Sequence, residues 1–169
     1  MVEILNNIYP SEEIIDKVAG LYNTIWNSKD TSIKERILKH STYKGYKGTI
    51  LLTDEEIVGF AYGYTSLPGQ FYHEKLAKEF NSEEYDKWLT NCFEFVELAV
   101  HPDYRKQGFG RMLVNKLLQD VENKTVVLTT QVINSPARSL YESLNWITLK
   151  ESFFPSYEND PYIIMGKEL

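Results

Sequence analysis

The stretch that most restricts the fold is NCFEFVELAVHPDYRKQGFGRMLVNKLL, residues 91–118. It reads as a strand over 91–100, a turn at His101-Pro102-Asp103-Tyr104, two glycines one residue apart, and a helix. In the helical part, Phe109, Met112, Leu113, Leu117 and Val121 fall on one apolar face, widened by Val114 and Leu118. Arg111, Asn115, Lys116 and Gln119 take the polar side. Glycine is the poorest ordinary helix former, so Gly108 and Gly110 at the mouth of this helix imply a close backbone approach to something. A helix start carries unpaired N–H groups and about half a positive charge, which suits phosphate. Arg105, Lys106 and Arg111 add local positive charge, so the expected ligand is anionic.

Two familiar phosphate loops are excluded. A P-loop needs Gly-Lys-Ser or Gly-Lys-Thr after its second glycine, and Arg111-Met112 is not that. A dinucleotide fingerprint needs a third Gly or Ala three residues on, where Leu113 stands. On these residues alone, the glycines serve equally well as a tight strand-to-helix turn.

The rest of the chain alternates strands and helices. MVEILNNI, residues 1–8, reads as a first strand, and Ser11 as the N-cap of a helix with Glu12 and Glu13 in its first turn. Ser32 and Glu35 match a capping box for a second helix. Residues 48–65 read as a hairpin with the acidic Asp54-Glu55-Glu56 between its strands. FYHEKLAKEF, residues 71–80, reads as a short helix. KTVVLTT is a buried strand, SPARSLYESLN a short helix, and WITLKESFF and YIIMGKEL are the last strands. The pattern predicts a single α/β domain over residues 1–169 with a mixed sheet.

Bulk properties narrow the function. At 169 residues the chain can bury a core without disulfides or metals. Its net charge of −6 argues against non-specific nucleic-acid binding. Cys92 is the only cysteine, which excludes an intramolecular disulfide and fits a reducing compartment. It lies in an apolar run and reads as a buried structural thiol. No stretch reaches a membrane span, and a cytoplasmic protein is expected. His73 and His101 lack ligand-like spacing, so no metal is expected.

VELAVHPDYRKQGFGRMLVNKLL resembles the acetyl-CoA-binding motif of the GCN5-related N-acetyltransferase (GNAT) superfamily. The family pattern of Arg or Gln, two residues, Gly, one residue, Gly or Ala is met by Arg105-Lys106-Gln107-Gly108-Phe109-Gly110. NSPARSLYESLNW is similar to the family's second signature, with Asn134, Ala137 and Tyr141 in place. Asn145-Trp146 replaces the usual Gly-Phe, a mild departure because Asn also tolerates a left-handed C-cap. The two motifs cover residues 93–146.

The resemblance implies a mostly antiparallel sheet of about seven strands. It splays between the strand ending at Val100 and the strand around Val126–Thr130. It implies acetyl-CoA as cofactor, its pyrophosphate on the backbone of Gln107, Gly108, Phe109, Gly110 and Arg111. Its pantetheine arm lies along the backbone of Leu98, Ala99 and Val100, as in β-augmentation. Arg105, Lys106, Asn134, Ala137, Arg138 and Tyr141 complete the implied contacts, and Tyr141 is the implied acid for the departing thiolate. Ser135-Pro136 reads as N-cap and first helical position. Glu94 and Glu97 are both candidate bases for the acceptor amine. Ideal alternation places them on opposite faces, and a bulge would disturb that count. Either also reads as a solvated or salt-bridged glutamate.

The acceptor is expected to be a small-molecule or peptide amine. Phe71, Tyr72, His73, Phe80, Tyr85 and Trp88, among acids, suit a lid over a cationic amine, or equally a helical pair with aromatic core residues. The rival to an enzyme is a non-catalytic acyl-CoA sensor. Homodimers are common in the family.

Overall fold

Residues 1–6, 11–29, 31–156 and 160–169 are described by the structure, a computed structural model. The end of the expected first strand, residues 7 and 8, lies outside them. The strands are β1 (Val2–Asn6), β2 (Lys47–Thr53), β3 (Glu56–Thr65), β4 (Cys92–Val100), β5 (Thr125–Gln131), β6 (Ile147–Phe153) and β7 (Tyr162–Glu168). The helices are α1 (Glu12–Trp26), α2 (Ser32–Ser41), α3 (Phe71–Glu79), α4 (Ser82–Trp88), α5 (Phe109–Leu118) and α6 (Ser135–Ser143). The strand order is β1-β2-β3-β4-β5-β7-β6. The β1–β2, β2–β3, β5–β7 and β6–β7 pairs are antiparallel, and β4–β5 is parallel. That parallel register covers Cys92–Glu94 against Thr125–Val127.

The chain divides into two units, Met1–Tyr64 with Val96–Val121, and Thr65–Phe95 with Glu122–Leu169. In the first, the Ser11 hydroxyl accepts from the Ile14 N–H at 3.3 Å, so α1 starts as expected. Ile15, Val18 and Leu21 of α1 and Ile33 and Ile37 of α2 bury their apolar faces with Ile50, Phe60, Tyr62 and Ala99. The cap of α2 differs from expectation. Thr31 precedes the helix in a helical conformation and makes no side-chain cap bond, and Ser32 is the first helical residue. A capping hydroxyl needs extended backbone at the cap, which this chain lacks there. The hairpin turn is the two residues Asp54 and Glu55, both at positive φ (51° and 70°). Those signs match the turn that follows the twist of the strands.

The α5 helix buries Leu113, Val114 and Leu117. Two residues assigned to its apolar face behave otherwise: Met112 is 43% exposed, and Val121 lies beyond the end of the helix.

In the second unit, Leu76, Phe80, Trp88, Leu89, Cys92, Val127, Phe153 and Ile164 form the core. Residues 71–88 are therefore a helical pair whose aromatics Phe80 and Trp88 are core residues, while Phe71 is exposed. The capping box missing from α2 occurs at α4, where Asn81 is extended and exchanges bonds with Glu84. His73 is buried, with Nδ1 2.8 Å from the Ser66 hydroxyl and Nε2 2.8 Å from the Tyr85 hydroxyl. Cys92 is fully buried, and burial pushes its thiol pKa well up. No helix among the described residues is long and apolar enough to cross a membrane.

Candidate active site

The first unit, taken by itself, carries the glycine turn. Gly108 caps α5 at φ +83°, after Lys106 at φ +59°. Left-handed backbone is open to glycine at no steric cost, which explains Gly108. A Cβ added there would meet nothing within 4 Å, so the space outside the turn is open. The first bond of the helix runs from the Met112 N–H to the Gly108 carbonyl at 3.1 Å. The N–H groups of Phe109 and Gly110 precede it and have no acceptor within the helix. No side chain caps this start, and no acid lies in its first turn. Arg105 and Lys106 are exposed beside it. The cradle fits an anion of pyrophosphate type.

Arg105 also has a structural bond: its Nε donates to the Val100 carbonyl at 3.0 Å, tying the turn to the end of β4. The sequence reading placed Arg105 at the cofactor but did not foresee this bond. Gln107 Nε2 reaches the Asp103 carbonyl at 3.4 Å. Leu98 and Val100 are half-buried and Ala99 is buried.

The pairing along β4 is irregular. The Ser66 N–H donates to the Cys92 carbonyl, and the His101 N–H donates to the Val58 carbonyl. Between these bonds the chain advances eight residues from Val58 to Ser66 and nine from Cys92 to His101, so the Cys92–His101 segment holds one extra residue.

The two glutamates have different surroundings. Glu94, in the second unit, is 4% exposed in the strand that carries Cys92. Glu97, in the first, has a side chain 16% exposed and an ion pair with Arg36 Nη2 at 3.3 Å. Burial raises the Glu97 pKa and the Arg36 guanidinium lowers it, leaving it at about 7. Arg36 lies over the Tyr22 ring at 5.5 Å. One turn on, His40 Nδ1 is 3.0 Å from the Tyr62 hydroxyl, and its ring lies 5.0 Å from Tyr64 and 5.5 Å from Tyr43. Burial, with Arg36 and Lys39 nearby, depresses the His40 pKa to about 4, so it is neutral at pH 7. The sequence reading missed this cluster. Its one local signal was the four-residue spacing of Arg36 and His40, which puts both on one face of α2.

The second unit, taken by itself, carries α6. Asn134, and not Ser135, is its N-cap: Asn134 Oδ1 accepts from the Ala137 N–H at 3.3 Å, and Ser135 is already helical. Asn outranks Ser only slightly as a cap, and the extra residue moves Pro136 to the second helical position. Arg138 Nη1 donates to the Val132 carbonyl at 3.0 Å. Tyr141 is buried, edge-on to Phe95 at 6.2 Å and tilted to Trp146 at 5.5 Å. Asn145 takes φ +66°, the left-handed position expected of it. The Trp146 indole N–H is buried without a hydrogen-bond partner. Among the described residues, no group of three His, Cys, Asp or Glu is placed to hold a metal.

Comparison with known proteins gives a consistent result. The model of the Acetyltransferase (GNAT) family matches residues 12–146. A [Ribosomal protein bS18]-alanine N-acetyltransferase of Salmonella typhimurium is 36% identical over 75 residues, 41% of this chain and 51% of that protein. A GCN5-like protein acetyltransferase of Mycobacterium tuberculosis is 25% identical over 126 residues, 70% of this chain and 61% of that protein. The chain thus spans half to three-fifths of these relatives. The PaiA N-acetyltransferase of Thermoplasma acidophilum, solved with coenzyme A, superposes with a TM-score of 0.68 at 16% identity, covering 100% of this chain and 99% of that one.

Proposed function

The chain belongs to the acetyltransferase (GNAT) family, and from that premise we propose that it is an acetyl-CoA-dependent N-acetyltransferase acting on a primary amine by direct transfer. The observation that carries this reading is the α5 start, where an uncapped helix turn presents backbone N–H groups to open space. Gln107 to Arg111 hold the pyrophosphate, with Arg105 and Lys106 as flanking charge. The backbone of Leu98 to Val100 holds the pantetheine arm, with Asn134, Ala137 and Arg138 as further contacts. When bound, acetyl-CoA supplies an activated acetyl thioester.

Glu97 is the base in this reading. An alkylammonium must lose a proton before its nitrogen can attack, and a carboxylate with pKa about 7 is matched to that task near neutral pH. Glu94, almost wholly enclosed, is assigned a structural place. Tyr141 holds the proton destined for the leaving sulfur; a phenol, with an ordinary pKa near 10, suits a thiolate at close range. Residues 1–169 act as one catalytic domain in a cytoplasmic setting.

Calorimetry with acetyl-CoA, followed by thiol release with a panel of amines, tests the proposal. Saturable binding and amine-dependent release are expected, and Tyr141→Phe is expected to lower kcat by about 10- to 100-fold. Absence of acetyl-CoA uptake by folded protein overturns the reading. Uptake without release on any amine replaces it with the acyl-CoA sensor.

A further inference from the structure

We propose that Arg36 is a positioning and selectivity residue: it orients the Glu97 carboxylate and, as a fixed cation, favours a primary amine with neutral or anionic flanks, such as a peptide α-amino group, over a polyamine. The inference rests on Glu97 being the base.

Arg36 is only partly used by its contact with Glu97. The pair is joined through one nitrogen at 3.3 Å, longer than the usual 2.7–2.9 Å of a charge-assisted bond and not bidentate. Its Nε is buried with no hydrogen-bond partner. Tyr22 also holds the guanidinium, through a side-chain hydrogen bond and with its ring centroid 5.5 Å away. Arg36 is also the more exposed partner, at 39% against 16% for the Glu97 side chain. A group approaching the carboxylate from solvent therefore meets the cation as well. The other titratable groups facing the pair are His40 on α2, Tyr22 on α1 and Tyr62 on β3. None of them supplies a second anion. Beside Tyr62 lies a small cavity of about 30 Å³, lined by Ile14, Val18, Ile37, Tyr46 and Phe60 among others, with no ionised side chain in its lining.

These surroundings discriminate by charge. A fixed guanidinium repels an acceptor ammonium and so helps it shed its proton to Glu97. A second ammonium on the same molecule would meet that same repulsion. Like charges a few ångströms apart in a half-buried site interact strongly. A backbone carbonyl or a carboxylate next to the amine would instead accept from the guanidinium.

The test compares kcat/KM for a short peptide with a free α-amino group and for a linear diamine, across pH, in wild type, Arg36→Met and Arg36→Lys. Wild type is expected to favour the peptide by about tenfold or more. Arg36→Met keeps the stem over Tyr22, should narrow that ratio by about tenfold, and should move the acid limb of the pH profile upward, because the group that lowers the Glu97 pKa is gone. Arg36→Lys keeps the charge and should keep both ratio and limb near wild type, which separates charge from packing if Arg36→Met folds poorly. Preference of wild type for the diamine, or a folded Arg36→Met with unchanged ratio and limb, overturns the inference. Glu97→Gln distinguishes the two failures: if it leaves rate and acid limb intact, the base assignment itself has failed, whereas loss of the limb there with no Arg36 effect refutes only Arg36.

Discussion

The glycine turn and the Ser66–His73–Tyr85 chain handle polar groups in opposite ways. At the turn, α5 begins without a side-chain cap, and Phe109 and Gly110 precede the first helical bond. At His73 both ring nitrogens meet a hydroxyl at 2.8 Å inside the protein. Polar groups buried without partners are costly, so a fold closes them wherever no ligand will come. An exposed helix start left uncapped, next to glycine at positive φ and with no acid in its first turn, is what the proposed pyrophosphate site requires. His73 was a candidate for the acceptor lid, and its saturation makes it part of the scaffold.

That contrast predicts two kinds of variant. Glu97→Gln should lower kcat by about 10²- to 10⁴-fold with folding intact. In wild type, activity should rise through about pH 7 as Glu97 ionises, and that limb should vanish in the variant. The stability sign runs the other way. Burial raises the Glu97 pKa above its unfolded value, so this group's contribution is full below about pH 4.5 and is lost as pH rises through about 7. Chemical denaturation of both proteins at pH 4 and pH 8 measures it.

His73→Leu should lose about 2–3 kcal/mol of stability, since two hydroxyls lose their partner, with acetyl-CoA affinity unchanged. Gly166→Ala should lose about 1–3 kcal/mol, because a Cβ there would lie 2.7 Å from Leu149 Cδ1 and 2.9 Å from the Trp88 ring. Gly108→Ala has room for its methyl but not the favoured φ. It should cost about 1 kcal/mol of stability and about tenfold in acetyl-CoA affinity. The contrast breaks if His73→Leu abolishes acetyl-CoA binding while stable, or if Gly108→Ala binds as wild type does.

Local patterns were legible in the sequence, and long-range pairings were not. The Ser11 cap, the 48–65 hairpin, the glycine turn and the left-handed Asn145 depend on a few neighbouring residues, and each appears as read. Ser32 and Asn81 both precede an acid by three residues, yet only Asn81 completes the box, because only there is the cap residue extended. That conformation is set by how the chain arrives, which no four-residue pattern records. Arg36 stands 61 residues from Glu97, and only the packing of α2 brings them together. The burial of Glu97 that brings its pKa to about 7 likewise comes from packing, and it decided between Glu97 and Glu94, a choice the strand's own residues left open.

Cys92 makes the assay simple. Turnover is counted by a chromogenic disulfide that reacts with the sulfhydryl set free from coenzyme A. The protein's lone sulfhydryl is 0% exposed and strongly disfavoured as thiolate, so a native sample adds no colour of its own. Heated in the same cuvette, each molecule that opens would add one equivalent, and the dye would then count denaturation as directly as it had counted acetyl transfer.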